Sequence, residues 1–128
     1  MDWKEYFEGR RGTGFMATAN KDGEVNIAVY SRPRVTEDGT LAFGMTDRLT
    51  HKNLRDNPKA AYAFQEPGFQ GVRLYLEKVR EETSGPVLEE VRRRADQIVG
   101  SGAGEQVEFL VCFRVIRHLN LVGPGTPT

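Results

Sequence analysis

Apolar and polar residues alternate along most of this chain, a pattern that is typical of strands with one buried face. The alternation predicts strands over 15–19, 25–30, 41–45, 59–65 and 72–76, and one long strand over 107–122. Two Asp-Gly pairs, Asp22-Gly23 and Asp38-Gly39, predict tight turns between the early strands. Because the second strand is expected to continue to Val35, the first three strands should form an antiparallel meander.

Three other segments space their apolar residues as helices do. The first, over 2–10, carries Trp3, Tyr6 and Phe7 on one face and is expected to end before Gly12 and Gly14. The second covers 47–56 and stops at Asn57-Pro58. The third begins near Pro86 and runs to Val99, and its apolar stripe consists of Val87, Leu88, Val91, Ala95, Ile98 and Val99.

Six strands joined by short turns, with short helices between some of them, predict a mainly β domain of the α+β class. A closed antiparallel barrel is favoured over an open sheet because closure removes exposed strand edges. The length of 128 residues fits a single domain. We expect this domain to span residues 1–123, with a flexible tail over 124–128.

The charge balance and the hydropathy of the chain exclude some classes of function. Eighteen basic residues balance eighteen acidic ones, so the chain lacks the positive excess that drives non-specific binding to nucleic acids or anionic membranes. The amino-terminal residues are charged, and no run of apolar residues reaches the length of a membrane-spanning helix. We therefore expect a cytoplasmic protein that binds neither nucleic acid nor membrane.

The usual catalytic and metal-binding signatures are missing from the sequence. It has no phosphate-binding P-loop, no Gly-x-Ser-x-Gly and no His-Glu-x-x-His. His51 and His118 lie on separate elements without companions at ligand spacing, so no metal site is predicted. The single cysteine, Cys112, lies in an apolar string and is expected to be a buried, inert thiol. Catalytic residues stay unassigned.

Three consecutive arginines, 92–94, lie on the predicted third helix. Glu89 precedes Arg93 by four positions, and Glu90 precedes Arg94 in the same way. This order favours ion pairs along a helix. The arginines are therefore interpreted as a solvated helix face rather than an anion site.

The junction between the strand 41–45 and the helix 47–56 carries the strongest chemical signal. Backbone N–H groups at a helix start attract anions, and four nearby side chains would complete a phosphate cradle. These are Thr46, Arg48, Thr50 and Lys52. The alternative is an ordinary surface helix that Asp47 or Thr46 caps, with both basic side chains in water.

The same stretch resembles a known family. The segments LAFGMTDR at 41–48 and KNLRDNPKA at 52–60 are similar to those of the pyridoxamine 5′-phosphate oxidase-like FMN-binding split barrels. The order of helices and strands agrees with that family over nearly the whole chain. The resemblance implies a six-stranded antiparallel split barrel of the Greek-key type with bound FMN.

The resemblance also implies which residues hold the cofactor. The flavin ring would lie against the end of the second strand, at Tyr30, Ser31 and Arg32, and against the end of the third, at Phe43, Gly44, Met45 and Thr46. Arg48, Thr50 and Lys52 would hold the phosphate. The chain departs from the family pattern at Asp47, where a small hydroxyl residue is expected, and at Leu49 and Thr50, where other members carry a basic residue.

The function that follows from the resemblance is that of a small flavin-dependent oxidoreductase. Its expected partners are a small redox substrate or NAD(P)H and a second copy of the chain, with the flavin at the homodimer interface. A deazaflavin is the alternative cofactor. A non-catalytic FMN-binding electron carrier and a cofactor-free interaction barrel are the alternative functions.

Overall fold

A computed structural model describes residues 1–125, and its strands form one antiparallel sheet. The strands are β1 (Thr13–Ala19), β2 (Val25–Val29), β3 (Arg34–Val35), β4 (Leu41–Met45), β5 (Lys59–Glu66), β6 (Gln70–Glu82) and β7 (Phe109–Asn120). The α-helices are α1 (Trp3–Phe7), α2 (Leu49–Asp56) and α3 (Pro86–Ile98). Short 3-10 turns cover Pro67–Phe69 and Ala103–Gln106. Residues 126–128, which belong to the predicted tail, lie outside the described range.

The strand order is β2-β1-β5-β6-β7-β4-β3, which places β2 and β3 at opposite edges of the sheet. Only residues 30–33 connect these two strands along the chain. A sheet whose two edges are joined by so short a segment has to curl back on itself. The result is a rolled sheet with a split between β2 and β3.

This topology corrects three predictions. The predicted closed barrel is wrong, because β2 and β3 do not pair with each other and the sheet stays open between them. The sheet has seven strands rather than six, because the segment expected to continue from the second strand to Val35 is interrupted. Pro33 lies in the interruption and has no N–H to offer a neighbouring strand. The predicted meander is wrong for the same reason, since β3 pairs with β4 while β2 pairs only with β1.

The inner face of the rolled sheet encloses the main core, and α1 closes one end of it. Trp3, Tyr6 and Phe7 are buried there, as the helical spacing predicted. The helix is shorter than expected, because it ends at Phe7 rather than near Arg10. Gly14 belongs to β1 instead of ending the helix, and a Cβ at that position would lie 2.0 Å from the Tyr62 hydroxyl oxygen.

A second, smaller core lies between α3 and the outer face of β4 and β7. Residues 41–43 of β4 and 110–113 of β7 are buried on both faces, which explains why these stretches are continuously apolar. The buried members of this core are Ala42, Leu88, Val107, Leu110 and Cys112. Burial raises the pKa of the Cys112 thiol, so the prediction of a buried, unreactive cysteine agrees with the structure.

Polar contacts fasten α2 to the sheet. Asn53 is buried and its Nδ2 donates to Thr18 Oγ1 at 3.1 Å. His51 is also buried, stacks on Phe109 with 3.7 Å between ring centroids, and places Nε2 2.7 Å from Glu81 Oε1. These contacts fix the orientation of the helix whose first turn carries the predicted phosphate site.

The turn between β3 and β4 contains the second Asp-Gly pair, and its carboxylate is strongly engaged. Asp38 accepts hydrogen bonds from the Thr36 hydroxyl, from the Thr40 N–H at 3.2 Å and from Arg80 Nη1 at 2.7 Å. The Thr36 hydroxyl contributes most to holding the pKa of Asp38 well below its ordinary value, followed by the Thr40 backbone and Arg80. The contact with Arg80 ties this turn to β6.

We expect Asp38→Asn to lower stability at neutral pH, because the amide accepts these bonds more weakly. A carboxyl with a lowered pKa stabilises the fold above its unfolded value of 3.8 and loses that effect as pH falls through the lower folded value. The difference between wild type and Asp38→Asn in urea midpoint should therefore be full at pH 7 and shrink below about pH 4. Asp22→Asn, in the other Asp-Gly turn, is the matched control, because within residues 1–125 its carboxylate makes no hydrogen bond. If Asp38→Asn and Asp22→Asn changed the urea midpoint equally at each pH, the hydrogen bonds assigned to Asp38 would be contradicted.

Candidate functional site

A cavity of about 480 Å³ lies between α3 and the split side of the sheet. Its size is within the range of small-molecule sites. One wall consists of the segment after β2 together with β4 and the residues that follow it, and the opposite wall is α3 with the 3-10 turn after it. The lining residues are Val29, Tyr30, Ser31, Arg32, Arg34, Ala42, Phe43, Gly44, Thr46, Arg48, Val91, Arg94, Ala95, Ile98, Val99, Ala103, Gln106 and Val107.

Seven of the ten residues predicted to hold a cofactor line this cavity. They are Tyr30, Ser31, Arg32, Phe43, Gly44, Thr46 and Arg48. The other three lie elsewhere: Met45 is in the main core, Thr50 is buried on α2 and accepts from Asn26 Nδ2 at 3.3 Å, and Lys52 is exposed on α2. The structure thus brings together the two strand ends that the sequence singled out.

Tyr30 is held firmly at the edge of the cavity. Its N–H donates to the Gly14 carbonyl at 2.9 Å, and its own carbonyl accepts from the Tyr62 hydroxyl at 3.1 Å. Its ring packs edge-to-face on Phe43 with 6.1 Å between centroids. Burial raises the pKa of the Tyr30 phenol, and a hydrogen bond with Thr50 partly opposes that shift. The phenol is therefore neutral at physiological pH and able to donate or accept.

Arg32 has a structural partner as well as a place on the cavity wall. Its Nη1 donates to the carbonyl of Phe7, the last residue of α1, at 2.9 Å and to that of Arg10 at 2.6 Å. The guanidinium is half-buried and fixes the segment between β2 and β3 against α1. Arg32 therefore has a structural role in addition to its place on the cavity wall.

The start of α2 differs from an ordinary capped helix. Arg48 occupies the cap position, and no side chain accepts a hydrogen bond from the first turn within residues 1–125. Asp47 lies 3.8 Å from Arg55 instead of capping the helix, and the Arg48 N–H donates to the Thr46 carbonyl. The proposed cap by Asp47 or Thr46 is thus not formed, and the first-turn N–H groups keep their capacity to bind an anion.

Gly44 allows α3 to approach β4 closely. A Cβ at this position would lie 2.5 Å from Val91 Cγ1 and 2.9 Å from Val107 Cγ1. The residue lines the cavity but also sets its width, because any side chain there would push α3 outward.

The α3 wall was missed by sequence reasoning, and the predicted ion pairs on this helix are wrong. Glu89 pairs with Arg92 at 2.8 Å, and Glu90 pairs with Arg34 on β3 at 3.0 Å. Of the three arginines only Arg93 is exposed, while Arg94 is half-buried and faces the cavity. The sequence did contain a signal for this wall. The apolar stripe of α3 continues to Ile98 and Val99, beyond the part of the helix that covers the second core.

The cavity is electrostatically one-sided. Four arginines line it, at positions 32, 34, 48 and 94, and among the described residues no aspartate or glutamate does so. The remaining wall is largely apolar. Such a site suits a ligand with an apolar or aromatic body and negative charge. Within the described range no group of three or more His, Cys, Asp or Glu side chains is arranged to hold a metal ion, and no helix is long and apolar enough to cross a bilayer.

No protein-family model matches the chain, and no curated protein matches it either. Solved structures do. An FMN-binding protein from Syntrophomonas wolfei subsp. wolfei gives a TM-score of 0.78 at 19% identity, covering 95% of this chain and 85% of that one. A candidate pyridoxamine 5′-phosphate oxidase from Lactobacillus delbrueckii gives 0.64 at 13% identity, covering 93% of this chain and 92% of that one. This chain has the split-barrel fold of the pyridoxamine 5′-phosphate oxidase-like proteins.

A third split barrel, an F420 reductase, gives a TM-score of 0.70 at 18% identity, covering 89% of this chain and 94% of that one. The similarity extends over most of each chain. The predicted split-barrel fold is therefore confirmed, whereas the sheet has seven strands rather than six and is open rather than closed.

The contact at Gly44 can be tested by a double-mutant cycle. Gly44→Ala should destabilise the split barrel by about 1–3 kcal/mol, because the new methyl group overlaps Val91. Val91→Ala removes the closest clashing atom, so the double variant should lose less stability than the two single changes predict together. Urea denaturation of the wild type, the two single variants and the double variant gives the coupling free energy between positions 44 and 91. Additive losses would show that α3 does not pack against position 44 as described.

Proposed function

We propose that this split barrel binds FMN in the cavity beside α3 and acts as a small flavin-dependent oxidoreductase. The proposal rests on the cavity. Its lining combines the ends of β2 and β4 with Arg48, which stands at the uncapped start of α2. A flavin needs an aromatic or apolar slot for its ring and cationic or N–H donors for its phosphate, and both are present here.

The chain's own residues would bind and orient the cofactor. Arg48 and the first-turn N–H groups of α2 would hold the phosphate, while Phe43 and the backbone around Gly44 would bound the ring. The neutral Tyr30 phenol, whose pKa is raised by burial, would offer a hydrogen bond at the ring edge. When bound, FMN would supply the redox chemistry, which agrees with the lack of a catalytic motif in the sequence.

Arg48→Ala should weaken FMN binding about 10- to 100-fold, because a charge-assisted contact to the phosphate is lost. Fluorescence titration with FMN measures the affinity. Arg93→Ala is the matched control, since it removes an arginine from the exposed face of α3 and should leave the affinity unchanged. A deazaflavin is the competing ligand, in view of the likeness to an F420 reductase, and its different absorption spectrum separates the two in the same titration.

Unchanged FMN affinity in Arg48→Ala would remove the phosphate assignment. No binding of either ligand by the wild-type protein would favour a cofactor-free interaction barrel. If FMN binds tightly but is not reduced by NADH or NADPH, the electron-carrier alternative gains support.

We further propose that the protein is a homodimer through the outer face of β2. This edge strand exposes three apolar side chains in a row: Val25 is 83% exposed, Ile27 68% and Val29 69%. An exposed apolar edge strand promotes association. Val29 also lines the cavity, so a second copy on β2 would border the bound flavin.

Ile27→Lys should convert the dimer to a monomer, because a charge in the centre of the apolar row cannot be buried without a partner. Size-exclusion chromatography with light scattering gives the mass in solution. Ile116→Lys is the control, since Ile116 is exposed on β7, away from this row, and its replacement should leave the dimer intact. A wild-type monomer at micromolar concentration would overturn the proposal.

A further inference from the structure

His51 carries a buried ring nitrogen that the proposed function does not use. The side chain is 3% exposed, and Nε2 lies 2.7 Å from Glu81 Oε1. Nδ1 is the one buried side-chain N or O atom within residues 1–125 that has no hydrogen-bond partner. An ionised carboxylate only accepts hydrogen bonds, so Nε2 donates to Glu81, and the ring takes up or releases its second proton at Nδ1.

The slot around His51 can hold the ring with or without a positive charge. Glu81 places a carboxylate at Nε2, and the Phe109 ring stacks on the imidazole with 3.7 Å between centroids and 6° between planes. A carboxylate in contact and the face of an aromatic ring both stabilise a cation. These two neighbours therefore favour the imidazolium form.

Other features of the slot favour the neutral ring. A proton on Nδ1 would be a buried donor without an acceptor, which is unfavourable. His51 is the third residue of α2, close to the positive end of the helix dipole. Lys78 Nζ lies 3.9 Å from the Glu81 oxygen that His51 contacts, and it weakens the attraction of that oxygen for a second cation.

The remaining charged residues on the elements around His51 are of both signs. Those on α2 or directly before it are Asp47, Arg48, Lys52, Arg55 and Asp56. On β6, Arg80 and Glu82 pair with each other, and Glu108 directly precedes β7. β1 and β2 also contact α2 but carry no charged residue within their strands. Because these influences oppose one another, an added charge beside α2 would decide the state of the ring.

The anion site at the start of α2 would supply that charge. Arg48 occupies the cap position, and the first-turn N–H groups are those proposed to hold a phosphate. His51 lies three residues beyond the cap, which is about 5 Å along the helix axis. A phosphate dianion so close attracts a proton to the ring, and linkage requires that the protonated ring strengthens binding of the dianion by the same factor.

We propose that His51 links anion binding at the start of α2 to proton uptake. The ring is neutral while the site is empty, and it takes a proton from solvent at Nδ1 when a phosphate group binds beside Arg48. Identifying that group as the FMN phosphate rests on the proposed function. The sign follows from the uptake: affinity for the anion rises as pH falls through the titration range of His51 and declines as pH rises above it. Cofactor loading would therefore respond to pH.

NMR titration of the histidine rings with sulfate as the probe tests this link. Sulfate stays a dianion over the titration range of histidine, so its own charge is constant. The chain has two histidines, and His118→Gln leaves the His51 signal for assignment. Saturating sulfate should raise the titration midpoint of His51 by about 0.5 pH unit or more, which corresponds to about threefold tighter sulfate binding by the protonated protein. His118, which packs against Trp3, is the internal control and should keep its midpoint.

Three variants locate the effect. Arg48→Ala should remove the sulfate-dependent shift, because the anion loses its contact beside the helix start. Glu81→Gln keeps an acceptor at Nε2 but removes the negative charge, so the His51 midpoint should fall below that of the wild type with and without sulfate. His51→Gln should bind sulfate without proton uptake, whereas the wild type should take up a fraction of a proton. Isothermal titration in buffers of different ionisation enthalpy measures this uptake.

The results that would overturn the link are specific. One is a His51 midpoint that sulfate leaves unchanged, and another is equal proton uptake by the wild type and His51→Gln. A wild type that binds no sulfate at millimolar concentration would overturn it as well. If His51→Gln does not fold, the wild-type midpoints with and without sulfate decide the question by themselves.

A parallel titration with FMN separates this link from the proposed function. FMN binding together with a fixed His51 midpoint would leave the proposed function standing and show that the link is wrong. Sulfate-linked proton uptake without any FMN binding would have the opposite meaning: the proposed function fails, and an anion site linked to His51 remains.

Discussion

The close approach of α3 to β4 is the constraint on which most of this structure depends. It is possible because position 44 has no side chain, which lets Val91 and Val107 pack against the backbone of the strand. That contact buries the outer face of β4 and of the first half of β7, and it creates the second core. The unburied part of the same helix face then becomes one wall of the cavity. Packing and ligand binding therefore share one helix, and a shift of α3 would change both.

The split in the sheet determines where the other wall lies. Residues 30–33 cross from one sheet edge to the other, so their backbone groups cannot join a ladder of hydrogen bonds on both sides. Tertiary contacts replace the ladder: Gly14 and Tyr62 bind the backbone of Tyr30, and Arg32 donates to the carbonyls of Phe7 and Arg10 at the end of α1 and beyond it. The segment is fixed without being part of a strand. Three of its residues, Tyr30, Ser31 and Arg32, line the cavity.

Sequence periodicity predicted most strands and the three helices because those signals are local. The break at Pro33 and the pairing of β3 with β4 depend on contacts across the rolled sheet, which alternation does not encode. The site was predicted at the place where one strand leads into one helix. Met45 was included in it, although alternate residues of a strand share a face and Met45 therefore lies in the core with Leu41 and Phe43. Arg94 was missed because the local pairing rule assigned Glu90 to it, whereas Glu90 pairs with Arg34 on β3.

The arrangement of charge connects the binding and assembly proposals. Arg48 lies at one part of the cavity and Arg94 on the opposite wall, with apolar residues between them and, among the described lining residues, no carboxylate to neutralise either. Val29 belongs at once to this lining and to the exposed apolar row on β2. A second copy on that row would exclude water from the cavity and strengthen each arginine–anion contact, because such contacts gain strength as the local dielectric falls. Under these proposals ligand affinity and dimerisation are therefore coupled, since each would stabilise the state that the other requires.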